Sequence, residues 1–416
     1  MEEIEKRKNE TPCLIFLSLS QIDSLEDHGI YHDLLRQFIL NGFKVVVVCP
    51  VERRTQKSTS LLISCKAEIL QVKTLNVQKT NFLEKGIATI SINFLFKRAI
   101  KKYLKGQGFD LILYATPPIT ISKLVSWLKY KHSAKTYLLL KDIFPQNAID
   151  LGVIRAKSYM HKYFLLHEKR LYATSDMIGC MSPANKRYLL SHYPKLANRV
   201  EVNPNSIEIL SKSESLETRE EVFKKHNIPS AATIFIYGGN LGQPQGTLFL
   251  TEIINKCSIS CPNAYFLIVG NGTDFNKLQT WFKVNKPINA KLMEYLPKNE
   301  YDKIIKHTDV GLILLRREFT IPNFPSRLLS YLENKLPVLS ITDVVTDVGT
   351  ISEKAGFGKW CEYGDLESVI AQVLFFDYNK ELRRKMGETG HAFLCANYDV
   401  KRSFEKIYAF FKQVKD

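Results

Sequence analysis

Short runs of aliphatic and β-branched residues, each followed by a longer amphipathic stretch, recur along this chain, and that alternation limits its fold more than any other feature. Cys13–Leu19 (CLIFLSL) and Val45–Cys49 (VVVVC) are almost wholly apolar, which suits strands buried on both faces of a parallel sheet. Between them, Tyr31–Asn41 reads as a helix closed by Asn41-Gly42. Leu111–Ala115, Thr136–Leu140 and Met177–Cys180 continue the strands, and Ile100–Leu104 and Ile121–Tyr130 fall in intervening helices. Such alternation predicts a doubly wound parallel sheet.

The pattern restarts after a polar stretch, Ser211–Glu221. Thr233–Tyr237, Ala264–Val269, Lys291–Tyr295, Val310–Leu315, Pro337–Ile341 and Phe357–Trp360 read as a second strand series. A length of 416 residues fits two domains, here 1–208 and 209–396. Val400–Val414 reads as a final helix with a wide apolar face at Phe404, Ile407, Tyr408, Phe410 and Phe411.

Charge divides the two halves. Residues 1–208 hold 31 Lys+Arg against 18 Asp+Glu, whereas residues 209–416 hold 27 against 24. A positive field confined to one domain attracts an anionic partner: nucleic acid, an acidic lipid surface or a phosphorylated substrate. The eight cysteines have no zinc-site spacing and suit reduced thiols in a cytoplasmic protein. The charged start MEEIEKRKNE is unlike a signal peptide. No run approaches the ~18 apolar residues of a spanning helix, so membrane contact is expected to be peripheral.

Ligands in open α/β sheets bind beyond the carboxyl ends of the strands, which directs attention to the loops. Tyr237-Gly238-Gly239-Asn240-Leu241-Gly242 follows a strand, and its glycines would let backbone approach a phosphate. Arg316 to Leu329 follows another strand, and Pro325 suits the first position of a helix, with Ser326 and Arg327 in its first turn. A cation beside the positive end of a helix implies an anion between them, such as a diphosphate. In the first half, Asp27-His28-Gly29-Ile30 opens a helix after the first strand, and Asp142 follows the strand Thr136–Leu140. His28 and Asp142 are the candidate catalytic groups, Asp142 to orient an acceptor hydroxyl or act as its base, and Gly29 would admit the acceptor.

The segments Gly239–Gly242 (GNLG), Asn203–Asn205 (NPN), His307–Val310 (HTDV) and Pro325–Arg327 (PSR) ahead of Leu336-Pro337-Val338 resemble the family-4 glycosyltransferases. The likeness is closest to the branch acting in bacterial capsule and O-antigen synthesis. Lys141–Ala148 (KDIFPQNA) with Leu151-Gly152, and Ser182-Pro183, are similar to that branch in the first half. The resemblance implies a GT-B fold: two Rossmann-like doubly wound domains facing a cleft, with the C-terminal helix, 397–416, crossing back to the first domain. It implies a nucleotide-sugar donor held by the second domain, an acceptor on the first, and transfer with retention. Gly239, Asn240 and Gly242 are similar to the phosphate-facing turn, and Ser326 and Arg327 to the family's Ser-Lys pair at the diphosphate.

Two departures matter. The family's pair of glutamates, eight residues apart, is replaced by Pro322 and Ser330, leaving Ser330 to meet the ribose. The basic residue of the glycine turn is also missing, with Asn240 and Gln245 in its place and Arg316 and Arg317 as the available charges. No Asp-x-Asp occurs, so neither metal nor other cofactor is expected. In the first half, Lys97, Arg98, Lys101, Lys102 and Lys105 follow Ile92–Phe96 at helical spacing. That stripe suits an anionic bilayer, and with it a lipid-linked glycan acceptor on the inner face of the plasma membrane. No RRM, KH or zinc pattern marks a nucleic-acid binder. The expected activity is metal-independent hexosyl transfer in cell-surface polysaccharide synthesis. A GT-B nucleotide-sugar epimerase and a non-catalytic GT-B partner subunit are the alternatives.

Overall fold

The computed structural model describes residues 11–76, 82–210 and 217–413, with side chains of 82–90 excepted. The charged N-terminal decapeptide, residues 211–216 of the polar stretch and residues 414–416 lie outside the described residues. The chain divides into two compact units, Met1–Glu208 with Asp399–Asp416, and Ile209–Tyr398.

The first unit is built on eight strands: β1 (Cys13–Leu17), β2 (Lys44–Glu52), β3 (Ser60–Ser64), β4 (Ala67–Thr74), β5 (Leu111–Ala115), β6 (Lys135–Leu140), β7 (Met177–Cys180) and β8 (Val200–Val202). Their order is β3-β4-β2-β1-β5-β6-β7-β8, and every pair is parallel except β3 with β4. Strand order reverses between β1 and β5, so their carboxyl ends form the crevice where such sheets bind ligands. All five residues of β1 and of β5 are buried, as apolar central strands require. The β3–β4 hairpin and β8 add to the strands expected from sequence. β4 carries polar residues that find partners elsewhere: Glu68 pairs with Lys44 at 2.7 Å, and buried Gln71 donates to the Ile22 carbonyl at 3.1 Å.

The Val400–Gln413 helix belongs to this same unit. Val400, Phe404, Ile407, Phe410 and Phe411 join the core formed by β1, β2 and the Ile30–Leu40 helix, with Phe404 edge-on to Phe38 at 4.9 Å between ring centres. The returning chain is stitched to the departing one where Val400 N–H donates to the Ile207 carbonyl at 2.9 Å.

The second unit has six strands: β9 (Thr233–Asn240), β10 (Ala264–Asn271), β11 (Ala290–Met293), β12 (Val310–Leu314), β13 (Val338–Thr342) and β14 (Gly358–Glu362). They are all parallel, in the order β11-β10-β9-β12-β13-β14, which reverses between β9 and β12. β9 and β10 run further than the sequence suggests, because Gly239 and Asn240 pair with Gly270 and Asn271. A Cβ on Gly270 would overlap the Gly239 carbonyl, so the close approach of these two strand ends depends on glycine.

Two segments of the family resemblance serve this framework. Asp309, within His307–Val310, accepts from Ile234 N–H at 2.8 Å and from Arg219 at 2.9 Å, tying the Arg219–Lys225 helix to β9. Asn203 is buried and donates to the Tyr137 hydroxyl at 2.8 Å.

Candidate active site

β9 and β12 are hydrogen-bonded only as far as Gly311↔Ile236 and then separate. The Tyr331 hydroxyl fills that gap. It accepts from Gly238 N–H at 3.2 Å and lies 3.2 and 3.1 Å from the Ile236 and Leu312 carbonyls. Tyr331 is fully buried, and its ring takes the place that a Cβ on Gly311 would need. Burial pushes its phenol up to about 12, against the pull of Arg327.

Arg327 opens the Arg327–Glu333 helix, with Ser326 at its N-cap. The helix therefore starts two residues later than Pro325 suggests. The Arg327 guanidinium lies 4.2 Å from the centre of the Tyr237 ring, a cation–π contact, with Tyr301 and Tyr331 close enough to feel its charge. Tyr301 comes from the Lys298–Ile305 helix, and its hydroxyl occupies the space that a side chain on Gly238 would need. Gly239, at φ +122°, faces the guanidinium: a Cβ there would lie 3.7 Å from its carbon and Nη2. Arg327 Nη1 is buried and makes no hydrogen bond to any described residue. A guanidinium donor withdrawn from water and left unpaired is costly. The arrangement is suited to an anion that completes the set.

The remaining candidates of this unit are less concentrated than the sequence suggests. Gly239 and Asn240 end β9 rather than form a turn, and the next α-helix begins only at Phe249 after the Gln243–Gln245 turn. A single 3-10 turn capped by Gly242, and not an α-helix N-terminus, therefore follows directly. The Asn240 amide is bonded to Gln245 Oε1 at 2.9 Å, and buried Gly242 leaves room for it. Ser330 stands one helical turn beyond Arg327, half-buried. Arg316 has partners of its own. It is held by Glu318 through contacts of 3.0 and 2.7 Å, and lines a cavity of about 450 Å³ with Gly246, Asp274, Lys277 and Tyr363. Arg317 is exposed, beside the Gly364 turn after β14. Arg316 N–H donates to the Pro244 carbonyl at 3.1 Å and its side chain packs on Gly246, so it stands beside the segment that follows Gly242.

In the first unit, Asp142 lies just beyond β6, with its backbone N–H and carbonyl both on the Thr116 hydroxyl after β5. It caps no helix: the Gln146–Asp150 helix has Pro145 at its N-cap. Desolvation raises the Asp142 carboxyl to about 6, with Lys141 opposing, and lowers the Lys141 ammonium to about 7, with Cys180 and Asp142 opposing. Tyr31 feels the Asp142 charge, which with burial pushes its phenol up. His28 Nδ1 is 3.0 Å from Oδ2 of Asp33. Asp33 is completely buried and also accepts from Gly29 N–H at 3.0 Å and Glu208 N–H at 2.9 Å. The Gly29 N–H is thus already engaged, and its φ of 169° is ordinary extended backbone. Asp33, Tyr31, Tyr237, Tyr301 and Tyr331 are the site residues that sequence reasoning missed. Nothing in their local spacing separates them from core residues. Among the described residues, no group of three or more His, Cys, Asp or Glu could hold a metal ion.

Two sheets, parallel but for the β3–β4 hairpin, with Rossmann-type order reversals and candidate polar groups at the carboxyl ends of their strands, define a GT-B architecture. Residues 30–209 match the family model described as Glycosyltransferase Family 4, and residues 218–393 match that described as Glycosyl transferases group 1. The chain belongs to the family-4 glycosyltransferases. It is 23% identical over 341 residues to a Pseudomonas aeruginosa protein named "Probable glycosyltransferase WbjE", covering 80% of this chain and 81% of that one. Among solved structures, sucrose-phosphate synthase of Thermosynechococcus elongatus superposes with a TM-score of 0.72 at 12% identity, over 97% of this chain and 99% of that one. HepE of Anabaena, in complex with UDP, gives 0.64 at 10% identity, over 97% and 100%.

Proposed function

We propose that this glycosyltransferase takes a sugar from a nucleotide-sugar donor, with retention at the anomeric carbon, and transfers it to a lipid-linked glycan in cell-surface polysaccharide synthesis. The observation that carries the donor reading is the buried, unpaired Nη1 of Arg327 beside Gly239. The donor diphosphate supplies the missing acceptor oxygens, and Arg327 stabilises the charge that grows on the leaving nucleotide. Ser330, one turn along the same helix, then meets the ribose with a hydroxyl instead of a carboxylate. The UDP complex of the structurally similar HepE supports the same donor class.

Acceptor chemistry belongs to the first unit. Asp142 orients the acceptor hydroxyl or takes its proton, and His28, held through Nδ1 by Asp33, assists from the loop after β1. We assign hexosyl transfer with no metal, because Arg327 supplies the positive charge at the diphosphate. The enzyme works in the cytoplasm, on the inner face of the membrane. Isothermal titration of the purified protein with UDP-, GDP- and dTDP-sugars tests the donor reading: one should bind, and Arg327→Ala should weaken it by about 10- to 150-fold, the range for a charged hydrogen bond. NMR of the product with that donor reads the anomeric configuration, and inversion would contradict the stereochemical assignment.

A further inference from the structure

We propose that the outer face of a three-helix layer in the first unit is a docking surface for an anionic lipid bilayer. The helices Phe82–Tyr103, Ser122–His132 and Tyr159–Thr174 pack side by side. Asn93 Nδ2 donates to the Thr120 carbonyl at 2.6 Å while its Oδ1 accepts from Leu124 N–H at 3.2 Å. The Ser126 and Thr174 hydroxyls meet at 3.0 Å. Residues 91–103, 122–132 and 159–174 together hold ten Lys and Arg but one carboxylate, Glu168. That carboxylate is buried and bound by the Tyr172 and Tyr193 hydroxyls at 3.0 and 2.7 Å, so it neutralises nothing outside.

The charge converges on one aromatic ring. Lys97, Lys101 and Lys131 stand 5.0, 5.8 and 5.3 Å from the centre of Trp127. Three ammonium groups around one ring repel one another, and the described side chains of these helices include no exposed carboxylate to offset them. A plane of lipid phosphates does, and tryptophan is at home at the depth of the headgroups. The apolar component comes from an unexpected place. Ile92 and Phe96 face the core at 0% and 1% exposure, leaving Phe94 outward at 66%. The third helix adds exposed Tyr159, Met160, Tyr163 and Leu166, spaced along one side of its first turns. Helices of a parallel α/β unit run against their strands. The start of this helix therefore lies at the edge where β6 ends and Asp142 sits. Exposed Met160 and Leu166 have no role in contacting phosphates and bases, whereas they insert between lipid chains.

The test is cosedimentation of the full chain with vesicles of phosphatidylcholine alone or mixed with phosphatidylglycerol. Binding should occur to the mixed vesicles only and should decline as NaCl is raised. Replacing Lys97, Lys101 and Lys131 together by Gln should weaken it on the order of a hundredfold, at roughly fivefold per charge. The pair Tyr159→Ser and Leu166→Ser should weaken it at constant charge, with circular dichroism unchanged. Trp127 emission should shift to the blue on binding, a change absent from Trp127→Phe. Absence of binding to phosphatidylglycerol vesicles, equal binding by the lysine variant, or selective capture of single-stranded RNA in place of vesicles would overturn the proposal.

Discussion

Arg327 is a cation packed on a tyrosine ring with one buried donor unpaired, and its surroundings explain why arginine suits the position. The planar guanidinium stands over Tyr237 and still presents Nη2 toward Gly239, which an ammonium could not do in the same way. Arg327→Lys should therefore keep part of the donor affinity and lose the remainder, read by titration against the wild type. Gly238→Ala should act through Tyr301, whose hydroxyl occupies that volume. Overpacking of this kind costs about 1–3 kcal/mol, read as a fall in melting temperature together with weaker donor binding. Asp142 gives a prediction in pH. A base with its carboxyl at about 6 works when deprotonated, so kcat/KM should rise as pH increases through about 6 and level off above it. Asp142→Asn should remove that limb, and a variant that kept it would assign the limb elsewhere.

At the scale of elements, the reversal of strand order between β9 and β12 leaves backbone groups that no neighbouring strand can satisfy. Tyr331 meets them with a single hydroxyl. Tyr331→Phe should cost about 1–3 kcal/mol, the penalty for stranding buried polar groups, and scanning calorimetry should show it as a lower melting temperature of the second unit. The Val400–Gln413 helix makes the complementary prediction for the first unit: Phe404→Ala removes a buried ring from its core and should cost about 3–5 kcal/mol. The apolar strands were legible in the sequence because burial on both faces leaves an unbroken aliphatic run, as in Val45–Cys49. β4 was not, since Glu68 and Gln71 are satisfied by Lys44, Gln107 and the Ile22 carbonyl, partners remote in sequence. The position of Arg327 could be read from Pro325-Ser326-Arg327, but the tyrosines around it come from three separate elements. The pairing of Arg316 with Glu318 and its packing on Gly246 depend on how the loop after β12 folds, which local spacing does not reveal.

For the whole molecule, much of the positive excess of residues 1–208 is carried by the three-helix layer of the first unit, whereas the proposed donor residues belong to the second. Substituting the Trp127 lysines should thus leave donor affinity in solution unchanged while reducing vesicle binding. The proposed donor residues all lie within Ile209–Tyr398, so donor binding should be measurable with no acceptor present. The most direct measurement is calorimetric titration of wild type and Arg327→Ala with UDP, GDP and dTDP and their sugar conjugates, with circular dichroism to verify the fold. The account predicts micromolar-range binding of one nucleotide class by the wild type, and a loss of about 10- to 150-fold in the variant. Undiminished affinity in a folded Arg327→Ala protein would contradict it.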